Sequence, residues 1–174
     1  MKLFLTGDPG CGKTTVVRRV AERLAPKVAM TGFWTEELRE GDTRTGFRGV
    51  TLDGRDFLLA HVREKGVAKV GPYGVVLEGL ERVGVDALRP APATRLVVLD
   101  EVGKMESFST AFRDAVEALL ASPVPVLGTV AVHGVGFPKR VRQDRRIELV
   151  RMSRASRDAM VGDVLRRLAA AGIG

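Results

Sequence analysis

A glycine-rich stretch near the amino terminus constrains this chain more than any other feature. Gly7-Asp8-Pro9-Gly10-Cys11-Gly12-Lys13-Thr14 satisfies the pattern G-x-x-x-x-G-K-[ST] in full. The apolar run Leu3-Phe4-Leu5 precedes it and reads as a buried strand. Thr15 to Leu24 follows it as an amphipathic helix, with Val16, Val17, Val20 and Leu24 on one face. A strand, a glycine-rich turn and a helix start together make an anion site. The glycines let backbone N–H groups wrap a phosphate without Cβ interference. The helix N-terminus adds its partial positive charge. Lys13 is placed to reach β- and γ-phosphates, and the Thr14 hydroxyl to sit on Mg²⁺, with Gly7 to Thr15 as the binding loop. Cys11 reads as a small residue at a variable position of the pattern.

The chain has 174 residues, 45% hydrophobic and 28% charged, which suits one domain over 1–174 with a sizeable core. No apolar run approaches the roughly 20 residues of a membrane span. The first strand begins at once, leaving no room for a signal peptide. A single cysteine excludes an internal disulfide, so the expected location is a reducing cytoplasm. The net charge is +7. Its densest basic cluster is Lys139, Arg140, Arg142, Arg145 and Arg146, interrupted by Asp144. No aromatic residue is interleaved, so base stacking on nucleic acid is not supported. A solvated positive face, or service to a polyanionic small molecule, is the expectation.

Strand-like and helix-like segments alternate, which argues for an α/β fold with a mainly parallel sheet. Lys27 to Thr35 reads as a second strand. Phe47 to Leu52 and Phe57 to Val62 flank Asp53-Gly54, a hairpin signal and an expected excursion from the parallel core. Arg63 to Thr94 is less regular, with a helix around Val76 to Val83. Arg95 to Asp100 and Val124 to Val130 read as buried strands, and Ile147 to Met152 as a short one. Ser109 to Leu120 and Ser156 to Ala171 read as helices, the latter capped by Gly172. Met152 and Met160 read as gap-filling core residues.

A phosphate loop needs a carboxylate at a nearby strand end to hold the Mg²⁺ shell. Leu96-Val97-Val98-Leu99-Asp100 supplies it, in a run central enough to lie beside the first strand. Asp100 is the expected Mg²⁺-side carboxylate. Glu101 follows directly, where a carboxylate can orient or deprotonate attacking water. Lys104 is expected either to neutralise developing phosphate charge or to pair with Glu106. Glu36 and Glu37 end the second strand near the same crevice. Arg44, Arg48 and Arg113 are candidates for the γ-phosphate. His61 and His133 have no neighbours at metal spacing, so no zinc site is read. Phe33 and Trp34 read as packing residues.

These residues together resemble the small P-loop nucleoside-triphosphatases of the thermophile type, whose animal members are called cancer-related nucleoside-triphosphatases. The likeness covers most of the chain. It rests on Gly7 to Thr15, Thr31-Gly32-Phe33-Trp34-Thr35-Glu36-Glu37, Arg44-Thr45-Gly46-Phe47, Tyr73-Gly74-Val75, Phe112-Arg113-Asp114 and Arg157-Asp158. Its most specific part is Asp100-Glu101-Val102-Gly103-Lys104-Met105-Glu106. The resemblance implies Mg²⁺-dependent hydrolysis of ATP, GTP and other nucleoside triphosphates to the diphosphate and phosphate, with loose base preference. It implies a three-layer, RecA-like P-loop NTPase fold with an extra strand between the two motif strands. A monomer is the favoured state. One departure is His133-Gly134-Val135-Gly136-Phe137-Pro138, glycine-rich where the family pattern suggests a helical segment.

Two other readings use the same loop. A nucleotide or small-molecule kinase would build its acceptor site from Arg63 to Thr94 and a short lid from Lys139 to Arg146. A nucleotide-dependent switch or nucleic-acid-binding regulator is disfavoured, since the chain carries no Asn-Lys-x-Asp stretch and no aromatic-basic face.

Overall fold

The computed structural model describes residues 1–174. Nine strands join one sheet in the order β5-β6-β4-β3-β2-β7-β8-β1-β9. The strands are β1 (Lys2–Thr6), β2 (Met30–Glu40), β3 (Thr43–Thr51), β4 (Asp56–His61), β5 (Ala68–Val70), β6 (Tyr73–Val75), β7 (Leu96–Val102), β8 (Val126–Val130) and β9 (Glu148–Arg151). The main helices are α1 (Lys13–Leu24), α4 (Thr110–Ala121), α5 (Phe137–Arg142) and α6 (Arg157–Ala170). Between β6 and β7 the chain coils through α2 (Leu77–Gly79), a π-helical turn (Leu80–Gly84) and α3 (Val85–Ala87).

Helices cover both faces of the sheet. The central strands are apolar without a break, yet their side chains still alternate. Leu3 and Leu5 of β1, Leu96 and Val98 of β7 and Leu127 of β8 face one core, shared with α1 and α6. Phe4, Val97, Leu99, Val126 and Val130 face the other, shared with α4, α5 and the helical turns at 77–87. Burial on two faces explains why these strands read as continuous runs. Val16, Val17, Val20 and Leu24 of α1 enter the first core. Met152 and Met160 are buried there too.

The sheet is mixed. Strands β2, β7, β8, β1 and β9 form a parallel half. Strands β3, β4, β6 and β5 extend it as an antiparallel wing. The segments either side of Asp53-Gly54 therefore widen the same sheet instead of leaving it. Within the stretch from Arg63 to Thr94 lies a further short hairpin, β5–β6, turning at Gly71-Pro72. β8 lies between β1 and β7, so the Asp100 strand is one strand removed from β1, as the resemblance implies and the apolar run alone did not. Gly134 and Gly136 form the loop before α5, and Phe137–Arg142 is helical after all, with Pro138 in its first turn.

β2 runs five residues past the expected Thr35. Met30 to Phe33 pair with β7, and Phe33 to Glu40 pair with β3. The outer part is held by cross-strand charge pairs: Glu36 with Arg48 at 2.9 Å and Glu37 with Arg44 at 2.8 Å. A charged, half-exposed strand carries no hydrophobic run, which is why its end is invisible to pattern reading.

Candidate functional site

The loop after β1 turns because Gly10 and Gly12 take positive φ, 74° and 98°. Gly12 is the left-handed residue from which α1 starts. At Gly7 a Cβ would lie 2.3 Å from the Met152 carbonyl oxygen, so no side chain fits. Lys13 opens α1 and is buried. Its ammonium donates to the Gly7 carbonyl at 3.1 Å, folding over the loop it follows.

Thr14, one residue on, donates its hydroxyl to Asp100 Oδ2 at 2.8 Å. The same oxygen accepts the Thr35 N–H and the Thr35 hydroxyl, each at 3.3 Å. The Thr129 hydroxyl donates to Asp100 Oδ1 at 2.6 Å. Asp100 is fully buried. Its carboxylate is thus fixed by α1, β2 and β8 at once, with every partner arriving as a donor. No group of three or more His, Cys, Asp or Glu is arranged to hold a metal. One carboxylate and a hydroxyl beside a phosphate loop suit a small, hard cation. Such an ion needs few ligands from the protein itself. The donor set therefore fits Mg²⁺.

Glu101 follows at the mouth of β7. Burial pushes its carboxyl above the usual range, Asp100 adds to the rise and Lys13 opposes it. Beyond it the turn folds back on Gly103. A Cβ there would sit 2.8 Å from Glu106 Oε2 and 3.6 Å from Glu101 Cγ. Glu106 is buried and has no cationic partner, so the expected Lys104–Glu106 pair does not form. Lys104 is exposed on the wall of the cleft instead. Burial, reinforced by Glu101, pushes Glu106 up to about 8.

That shift has a consequence for stability. Glu106 keeps its proton in the fold up to about 8, while the unfolded chain releases it near the ordinary 4.5. As pH rises between those values, the unfolded state loses a proton that the native state holds. Stability then falls by at most about 1.4 kcal/mol per pH unit. Glu106→Gln has no proton to lose. Its thermal midpoint should gain steadily on wild type from about pH 5 to about pH 8. Parallel midpoints across that range would mean that Glu106 is not held protonated.

Beside them lies one cleft of about 1000 Å³ at the carboxyl ends of the parallel strands; Thr14, Glu101 and Glu106 line it, while the fully buried Asp100 does not. Gly7, Pro9, Gly10, Gly12, Lys13, Thr14, Thr15, Glu101 and Lys104 line it. Asp8 and Cys11 do not: Asp8 faces His133, 3.7 Å away, and the Cys11 thiol is buried against Gly7. Of the three candidate arginines, only Arg44 reaches the cleft. Arg48 is spent on Glu36, and Arg113 on the Ser107 carbonyl at 2.6 Å. In the basic cluster, Arg142 donates to the carbonyls of Ala131 and Gly134, pinning the β8–α5 loop. Sequence reasoning gave no role to Thr35 and Thr129, which bond Asp100, or to Arg18, which lines the cleft. Thr129 did leave a signal: a lone hydroxyl in the buried run Val126-Leu127-Gly128-Thr129-Val130 demands a partner.

Sheet, loop and strand-end carboxylates define an α/β protein with one large cleft where its parallel strands end. The sequence model of a family described as NTPase matches residues 2–165, and the chain belongs to that family. It is 35% identical to nucleoside-triphosphatase THEP1 of Thermotoga maritima, covering 95% of this chain and 94% of that protein. The crystal structure of THEP1 from Aquifex aeolicus superposes with a TM-score of 0.87 at 34% identity, covering 97% of this chain and 99% of that one. The solution structure of a human cancer-related nucleoside triphosphatase does so with 0.80 at 34% identity, covering 96% of each.

Proposed function

We propose that this chain is a Mg²⁺-dependent nucleoside-triphosphatase that converts ATP, GTP and related triphosphates to the diphosphate and phosphate. The observation that carries the reading is the Asp100 carboxylate, bonded to Thr14 of the phosphate loop at 2.8 Å, with Glu101 next to it on the cleft wall. The family membership and the names of the relatives support the same chemistry. The order β7-β8-β1 supports a RecA-like P-loop fold.

Gly7 to Thr15 wrap the phosphates through backbone N–H groups, and Lys13 neutralises the β- and γ-oxygens. Thr14 and Asp100 are the residues that would hold Mg²⁺, which would supply neutralisation of phosphate charge there. Glu101 orients the water and accepts its proton. Its raised proton affinity suits that task, because a base works best when its pKa approaches the operating pH. Lys104, exposed on the cleft wall, offsets charge developing on the phosphate. The loose base preference is what the resemblance to the small nucleoside-triphosphatases implies. The protein is expected to act as a cytoplasmic monomer on free nucleotides, without nucleic acid.

The direct test is product analysis with ATP or GTP and Mg²⁺: phosphate and diphosphate should appear in equal amounts. No phosphate release from either nucleotide overturns the reading. A second test addresses the metal. Asp100→Asn keeps shape and acceptor oxygen but loses charge, so half-maximal activity should need Mg²⁺ roughly tenfold or more above the wild-type requirement. Superimposable Mg²⁺ titrations would remove Asp100 from the metal's shell.

A further inference from the structure

The phosphate loop has two flanks, and only one faces the reacting groups. β7, which carries Asp100 and Glu101, lies on one side of β1 with β8 between them. β9 lies on the other side, and the chain passes from it through 152–156 into α6. A triphosphate whose γ-phosphate lies toward Glu101 runs back across β1. Its nucleoside end then points at β9 and α6.

Arg157 stands there. It is the first residue of α6, and its stem lies along the outside of the loop. A Cβ on Gly12 would sit 2.5 Å from Arg157 Cδ and 3.1 Å from its Cγ, so only glycine lets the arginine come this close. The guanidinium is held by this packing and not by polar partners. Its Nε is buried and makes no hydrogen bond. The Asp158 carboxylate is 3.6 Å from Nε, and it already accepts from Arg19 at 2.9 Å. The side chain is 37% exposed although Nε is covered, so it keeps surface for a ligand.

The chemistry of this position names what it takes. Arg157 does not line the cleft, so it is not one of the groups that cradle the phosphates. It serves what protrudes from the cleft. A guanidinium is planar and weakly hydrated, and it stacks on aromatic faces. Every nucleobase has such a face, and stacking accepts them all. Base edges are read by hydrogen-bonding groups, and the turn before α6 spends its serines internally. The Ser153 N–H donates to the Ser156 hydroxyl at 2.9 Å, and that hydroxyl donates to the Ser153 carbonyl at 3.1 Å.

We infer that Arg157 receives the base of the bound nucleoside triphosphate, its guanidinium stacked flat on the ring, in a clamp that grips purines and pyrimidines alike. The inference rests on the triphosphate lying on Gly7 to Thr15, as proposed above. Binding then has two separable sources: the loop holds the phosphates, and Arg157 holds the base.

Equilibrium binding to the full chain with Mg²⁺ separates them. The probes are non-hydrolysable analogues of ATP, GTP and CTP, beside inorganic tripolyphosphate, which has no base. Arg157→Ala should raise the Kd of each nucleotide analogue roughly tenfold, the usual loss on removing one stacking partner from a base. The Kd of tripolyphosphate should move far less. Tripolyphosphate thereby reports whether the loop is intact, so a packing defect at Gly12 does not pass for the effect. Arg157→Lys keeps the charge and the stem but not the plane, and should lose nearly as much as alanine. Nucleotide binding that Arg157→Ala leaves unchanged overturns the clamp. So does equal weakening of tripolyphosphate and nucleotides, or full recovery with lysine, either of which means a charge acting on phosphate. In these cases the phosphate loop and the hydrolase still stand. Failure of the wild-type chain to bind both tripolyphosphate and the nucleotides overturns the clamp together with the reading beneath it.

Discussion

Lys13→Ala should abolish turnover and weaken triphosphate binding. Lys13 is the one cation that the loop itself fixes, buried and bonded to the Gly7 carbonyl at 3.1 Å. In that position its ammonium is already desolvated, so it meets the β- and γ-oxygens without reorganising. Losing such a group from a water-poor site typically costs roughly 10² to 10³ in rate or more. The alanine variant also lowers the opposition to proton uptake at Glu101, since Lys13 is the cation that holds that carboxyl down. Steady-state phosphate release at saturating ATP and Mg²⁺, with binding of a non-hydrolysable analogue, measures turnover and affinity. Turnover near the wild-type value would sink the assignment of the loop.

Glu101→Gln separates binding from chemistry. Glutamine keeps the size and a hydrogen-bonding oxygen but is a far poorer proton acceptor. Water-orienting and general-base roles contribute roughly 10² to 10⁴ in rate, so hydrolysis should fall by about that factor. Affinity for the triphosphate should stay within a few-fold, because the loop and Thr14 would hold the phosphates and Glu101 hydrogen-bonds neither. The variant should therefore hold intact triphosphate. Single-turnover hydrolysis alongside equilibrium binding reads both quantities. Unchanged single-turnover hydrolysis with binding intact would take Glu101 out of the mechanism.

Much of the parallel half was legible in the sequence, for physical reasons. Gly10 and Gly12 must adopt positive φ, and a strand-turn-helix context leaves little else they can be doing. Leu96 to Leu99 are all apolar because both faces of β7 are buried, so the strand and its terminal Asp100 stood out. The antiparallel wing was far less legible. β5 and β6 are three residues each, too short for an alternation to show. The end of β2 is charged, held by pairing with Arg44 and Arg48 rather than by burial. The partners of Asp100 were hidden for another reason. Thr35 and Thr129 lie 65 and 29 residues away; the buried run around Thr129 says that its hydroxyl needs a partner, but nothing local to either residue says which. Arg44 read as one of three equal arginines until the fold set it over Phe47 and Tyr73.

β2 belongs to both halves of the sheet, and this makes it a ruler. Phe33, Thr35 and Glu37 are alternate residues, so they project from one face. The first packs in the core, the second bonds Asp100 and the third bonds Arg44. Two residues of strand advance about 7 Å. The separation between the carboxylate cage and Arg44 is therefore set by backbone pleat, the least variable length a protein has. Loops at either end of the wing can grow or shrink over evolutionary time without altering that spacing. A single residue gained or lost inside the strand would turn the whole set to the opposite face.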